Sequence, residues 1–235
     1  MEFVNRVAEL SLLEEACRSH RAELVVIYGR RRIGKTTLVR ALSHRLRLIY
    51  FIVNYEEREK AIEDLTLQLT RQVRLPFTPK FESFSDLYES LPKLSDERVV
   101  VAIDEFQRLH RTEGVTELQA TWDSGRLGNR VSVILLGSSV GMIERLGMSY
   151  EGPLYGRATR ILKLRQLSFK DSREFVPRLG EEDKVRVYGI FGGVPAYLSL
   201  LNGGLSLREN LFRIVVAAGA PLREEPLNLI STETR

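Results

Sequence analysis

Gly29, Gly34, Lys35 and Thr36 lie in the stretch GRRRIGKTT, with four variable positions between the two glycines. That spacing suits phosphate chemistry. Glycines let the backbone N–H groups of a loop turn inward around an anion, the lysine adds a mobile positive charge, and the next hydroxyl can ligate a divalent cation, which together make the loop G-x-x-x-x-G-K-[ST]. Lys35 is then expected to neutralise the β- and γ-phosphates of a nucleotide and Thr36 to ligate Mg2+. Gly29, Arg30, Arg31, Arg32, Ile33, Gly34 and Thr37 complete the cradle. Because such a loop works through its backbone, the three arginine side chains need not touch phosphate; an acidic neighbour, a partner or DNA could engage them instead.

A carboxylate pair follows in RVVVAIDE, an apolar β-branched run ending in Asp104 and Glu105. The C-terminal end of a buried strand is where ligand sites of open α/β sheets lie, so Asp104 is expected beside Mg2+ and the phosphates. Glu105 is placed to act as general base on the attacking water, against the plainer reading that it starts a surface helix. Ser138, at the end of VSVILLGSS, could contact the γ-phosphate or that water; a serine there could equally cap a helix beginning near Val140. Arg157, in GPLYGRATR, is a candidate arginine finger acting in its own subunit or a neighbour's, or an ordinary solvated arginine. Other chemistries find little support: His20, His44 and His110 are scattered without ligand spacing, and Cys17 is the lone cysteine, expected as inert packing on a helix face.

These residues need elements to hold them. LVVIYG from Leu24 reads as a buried parallel strand feeding the loop, and KTTLVRALSHRL as the helix leaving it. Further strands are expected over 48–54, 98–105, 131–139 and 159–164. Between them, Ile62, Leu65, Leu69 and Val73 mark an amphipathic helix, Ser83 opens a short capped helix before Pro92, and Val115, Leu118 and Trp122 mark another. Alternating strands and helices imply a three-layer α/β sandwich around a mostly parallel five-stranded sheet. From Gln166 onward only helical patterns occur, one of them capped by Ser168 with Asp171. The expected division is an α/β core over 1–165, a small all-helical lid over 166–220, and a linker or frayed tail over 221–235.

The chain has 235 residues, 43% hydrophobic and 28% charged, the composition of a globular domain able to bury its own core. No apolar run is long enough to span a bilayer and the N-terminus lacks a secretory pattern, so a cytoplasmic protein without membrane contact is expected. A net charge of +4, from 35 basic and 31 acidic residues, permits contact with a polyanion without demanding it.

With these motifs in order, the sequence resembles the archaeal ATPase family, STAND-type P-loop ATPases related to AAA+ proteins and replication-initiator ATPases. The resemblance rests on FVNRVAELSLLEEA, YGRRRIGKTTLV, VVVAIDEFQ, ILLGSS, GPLYGR and GGVPAYL, and extends to about Glu225. It implies that the ILLGSS strand lies between the strands of the phosphate loop and of Asp104, so that Ser138 faces the nucleotide as sensor 1. It also implies that Phe3, Asn5 and Arg6, with the Gly193-Val194-Pro195 turn of the lid, flank the adenine of ATP or ADP. Read from the residues alone, Asn5 is as well an N-cap and GGVP a helix break. Family members continue into a winged-helix domain and a further C-terminal domain, before which this sequence stops, so activities housed there are not carried over. The expected function is a Mg2+-dependent ATPase working as a conformational switch. A DNA-associated module and a nucleotide-binding scaffold without turnover are the alternatives, with an unidentified protein or a nucleotide-dependent homo-oligomer as further partners.

Overall fold

The computed structural model describes residues 5–44, 46–147, 149–150 and 152–227. The chain divides into two compact units, one formed by 6–31 and 35–164, the other by 32–34 and the chain from Arg165 onward, together with Asn5.

The first unit is built on five strands: β1 (Glu23–Tyr28), β2 (Arg47–Ile52), β3 (Val99–Asp104), β4 (Val131–Gly137) and β5 (Arg160–Lys163). They pair in the order β2-β3-β4-β1-β5, every neighbour parallel. Burial follows position in the sheet. The central strands β1, β3 and β4 are buried along their whole length, as continuous apolar runs require when both faces are covered, whereas the edge strands β2 and β5 are only partly covered. On one face, alternate residues such as Leu24, Val26, Val101 and Val133 join a core completed by α3 (Arg58–Val73), α4 (Phe84–Ser90) and α5 (Gly114–Asp123). On the other, α1 (Val7–Cys17) packs on β1 and on α2 (Lys35–Ala41) and buries Leu13, Ala16 and Cys17. Burial pushes the Cys17 thiol up to about 12, so it stays a protonated packing group.

Local sequence explains most boundaries. The Ser83 hydroxyl accepts from the Asp86 N–H while Asp86 answers to the Ser83 backbone, a complete capping box opening α4. α3 spans the residues its apolar periodicity marks, and its polar face has a second use: Gln72 and Gln68 each bond both the N–H and the C=O of a β2 residue, Tyr50 and Ile52 respectively, at 2.8–2.9 Å. These amides stand in for a missing neighbour strand and close the sheet edge. Two expected elements end early. α2 gives way at Leu42 to a 3-10 turn, and β3 ends at Asp104, because Glu105 takes a left-handed conformation (φ 57°). No helix among the described residues is long and apolar enough to cross a membrane.

The second unit carries α7 (Phe169–Ser172), α8 (Glu181–Phe191), α9 (Pro195–Leu198) and α10 (Leu207–Leu211), the last opened by a Ser206–Glu209 capping box; α6 (Val140–Gly147) belongs to the first unit. Its core gathers Val176, Val187, Phe191, Leu198, Leu207, Ile214 and Leu222. The last of these bears on the expected linker or frayed tail over 221–235, of which 221–227 are described. Leu222 is 7% exposed and donates its N–H to Ile214 O at 2.9 Å, so apolar burial ties the start of the segment, at Leu222, to the core of the second unit. Gly193 is required by space: a Cβ there would stand 1.9 Å from the Leu167 carbonyl oxygen, whose own N–H donates to Gly193 O at 2.8 Å. Gly193→Ala is therefore expected to destabilise this unit by about 1–3 kcal/mol, read as earlier thermal melting.

Candidate nucleotide-binding site

The parallel register brings the chemical residues to one edge of the sheet. Tyr28 pairs with Gly137, Leu136 with Asp104, and Asp104 with Ile52, so the residues that follow β1, β3 and β4 leave side by side at the C-terminal edge. The loop after β1 begins at Gly29, and α2 leaves it at Lys35. Gly34 takes φ 91°, which only glycine adopts freely.

Lys35 is 7% exposed. Its ammonium donates to the Gly29 and Arg30 carbonyls of its own loop, at 2.7 and 2.8 Å. Burial lowers its pKa, opposed by the nearby carboxylates of Glu105 and Asp104. Thr36 Oγ1 donates to Asp104 Oδ2 at 2.9 Å, the Tyr50 hydroxyl donates to the same oxygen, and the Glu105 N–H donates to Oδ1 at 2.9 Å. Asp104, 9% exposed, is thus a carboxylate held on both oxygens.

Glu105 sits beside this group. Its left-handed backbone costs roughly 1–2 kcal/mol for a residue with a Cβ, and turns the side chain toward the end of β4. There Ser138 Oγ donates to both carboxylate oxygens at 3.0 Å, and the Gln107 amide donates to Oε2. Glu105 is also the N-cap residue of a 3-10 helix, Phe106–Thr112, but its side chain makes no cap bond there. The Ser138 hydroxyl bonds Glu105 and not the first turn of α6.

Arg157 is elsewhere. Thr159 N–H donates to Leu24 O at 2.8 Å, so the segment before β5 lies at the start of β1, a strand's length of roughly 20 Å from the phosphate loop. There Arg157 donates from Nε and Nη2 to the Asp123 carboxylate, both at 2.7 Å. This placement corrects the reading of Arg157 as a finger in its own subunit. Arg157→Ala is expected to leave nucleotide affinity unchanged and to cost less than about 1 kcal/mol of stability in a urea titration, as for other part-exposed pairs.

The adenine candidates are placed unevenly. Phe3 lies outside the described residues. Asn5 and Arg6 both take positive φ (52° and 77°) ahead of α1, and Arg6 donates to Glu9 at 2.9 Å. Arg6, not Asn5, is the N-cap residue. Inside the second unit, Pro195 opens α9, and its Cγ would lie 3.9 Å from a Cβ on Gly34. In the same unit Arg32 pairs with Glu225 at 2.5 Å and its guanidinium lies 5.6 Å from the Tyr197 ring centroid, while Tyr197 OH donates to Glu225 at 2.7 Å. So Arg32 meets an acidic neighbour. Tyr50, Gln107 and Glu225 carry no motif signal; the run DEFQ puts Gln107 near the carboxylates, but nothing local tells that its amide turns back to Glu105.

A loop of phosphate-binding form after β1, Asp104 ending β3 with Glu105 next to it, and β4 between those two strands define the P-loop NTPase fold. Residues 3–201 match the model of an ATPase domain predominantly from Archaea, and the chain belongs to that family. An uncharacterised protein of Methanocaldococcus jannaschii is 33% identical over 198 residues, 83% of this chain; the chain spans 43% of that relative. Among solved structures, the Walker-type ATPase of Pyrococcus abyssi superposes with TM-score 0.70 at 23% identity, over 98% of this chain and 77% of that one. The ORC2 protein of Aeropyrum pernix follows with TM-score 0.62 at 15% identity, over 88% of this chain and 68% of that one.

Proposed function

We propose that the chain binds ATP with Mg2+ at the loop after β1, hydrolyses it, and uses nucleotide occupancy as a conformational switch. The observation that carries this reading is the convergence of Lys35, Thr36, Asp104 and Glu105 at one sheet edge. The residues fit both ligands. A buried ammonium whose hydrogen bonds go to its own loop carbonyls is poised to trade them for phosphate oxygens, a better match for a desolvated cation. The Thr36 hydroxyl and Asp104 carboxylate are hard oxygen donors of the kind Mg2+ takes. The Aeropyrum pernix ORC2 structure, a set of ADPNP–ADP complexes, supports an adenine nucleotide.

Bound Mg2+ supplies charge neutralisation at the phosphates. Lys35 adds its charge to the β- and γ-phosphate oxygens, and Thr36 and Asp104 hold the cation. Glu105 accepts the proton of the attacking water as its oxygen bonds the γ-phosphorus and the bond to the β–γ bridging oxygen breaks, releasing ADP. Ser138 and Gln107 keep that carboxylate aimed while leaving lone pairs for the water. The switch reading is supported by the grouping of loop residues 32–34 with the lid unit, where Arg32 is bound to Glu225 and Tyr197. A change of loop conformation on nucleotide binding then pulls on a lid ion pair.

The test is phosphate release by the purified chain. Release that saturates with ATP and stops on removal of Mg2+ is expected. Tight ATP binding without release would leave a scaffold that does not turn over.

A further inference from the structure

We propose that Tyr50 is a positioning residue of this site: its hydroxyl, clamped from behind by α3, holds the Asp104 carboxylate in the orientation a divalent cation needs. The inference rests on the Mg2+–ATP reading above and adds a residue to it. Tyr50 pairs in register with Ala102, and its face of the sheet includes Asp104 two residues on. The small Ala102 side chain leaves room for the phenol to lean along β3, so its hydroxyl reaches Asp104 Oδ2.

That reach is built from three sides. Gln72 accepts the Tyr50 N–H and donates to the Tyr50 C=O, both at 2.8 Å, which fixes the backbone of an edge strand that would otherwise be free to shift. The Arg40 guanidinium, one helical turn beyond Thr36 on α2, lies 5.1 Å from the ring centroid and holds the ring in place. Thr36 donates to the same Asp104 oxygen, while Oδ1 is taken by the Glu105 N–H. Thr36 has to serve the cation through the same hydroxyl, whereas the Tyr50 hydroxyl is committed to Oδ2 and keeps that oxygen from rotating away. Outer partners of this kind typically carry about 10–100-fold in metal affinity.

The experiment compares ATP affinity with Mg2+ and with EDTA, by fluorescence titration of a labelled ATP, in wild type, Tyr50→Phe and Gln72→Ala. Phenylalanine keeps the ring and the Arg40 contact and removes only the hydroxyl. The expected result is that Tyr50→Phe cuts the gain in affinity due to Mg2+ by about 10-fold, leaving the EDTA affinity unchanged. Gln72→Ala, a surface change that frees the Tyr50 backbone, should cut the same gain by a smaller factor, and it decides the matter if Tyr50→Phe does not fold. A Mg2+ gain equal to wild type in both variants overturns the inference, as does an equal loss with and without the metal. A wild type that gains nothing from Mg2+ removes the metal reading itself, and this inference with it.

Discussion

Lys35→Ala is expected to weaken binding of Mg·ATP by about 100-fold or more, because charge-assisted hydrogen bonds to phosphate oxygens, each roughly 1.5–3 kcal/mol, go with the ammonium. The free protein should respond differently. There Lys35 is buried against two backbone carbonyls, and burial holds its pKa below the ordinary 10.5. Alanine relieves a desolvated charge while leaving those carbonyls open, so the melting temperature without ligand should stay near wild type. The upward shift on adding ATP should vanish, since stabilisation by a ligand follows its affinity. The pH dependence of the Lys35 contribution has a definite sign: its folded pKa is depressed, so at this group the unfolded chain binds more protons just below pH 10.5, and the Lys35 contribution to stability rises with pH there. The variant should lose that rise. Calorimetric titration and thermal melts measure both effects, and an affinity within about threefold of wild type would remove Lys35 from the site.

Glu105→Gln should separate binding from chemistry. The amide keeps the size of the side chain and can still meet Ser138 and Gln107, so the left-handed turn after β3 is preserved. It cannot take a proton from water. ATP affinity is expected to stay within about threefold of wild type while the rate of phosphate release falls by about 100- to 10,000-fold, the range for loss of a general base. Glu105→Ala would be a poorer probe, because it also strips two donors of their acceptor. Unchanged release by Glu105→Gln would mean that the proton goes elsewhere, and Ser138 together with Gln107 would then be holding a carboxylate for structural reasons only.

The phosphate loop is legible from sequence because it is local: Gly29 to Thr37 are consecutive, and the apolar run before them and the helical spacing after them supply the context. The central strands are legible for a similar reason, since β1, β3 and β4 are buried on both faces and read as unbroken apolar runs. What joins residues across strands is not legible. Tyr50 reads as one aromatic in LIYFIVN, and its aim at Asp104 depends on the β2–β3 register, on the small size of Ala102 and on glutamines of α3. Gln107 turns back to Glu105 only because Glu105 adopts an unfavourable backbone that no local pattern signals.

Arg157 teaches a different lesson. A residue just before a parallel strand lies at the N-terminal edge of the sheet, and ligands bind at the C-terminal edge, so its distance from the phosphates follows from chain direction once β5 is known to run parallel to β1. Residues 221–227 show the limit of composition: two prolines read as a linker, yet Leu222 fills an apolar gap and Glu225 binds Arg32 and Tyr197. Both depend on partners distant in sequence.

The central claim, that the edge formed by Lys35, Thr36, Asp104 and Glu105 is an Mg2+–ATP site, is tested most directly by calorimetric titration of the wild-type chain with ATP in the presence and absence of Mg2+. The account predicts saturable binding of one nucleotide per chain, tighter with the metal. Absence of binding under both conditions up to millimolar ATP would contradict it.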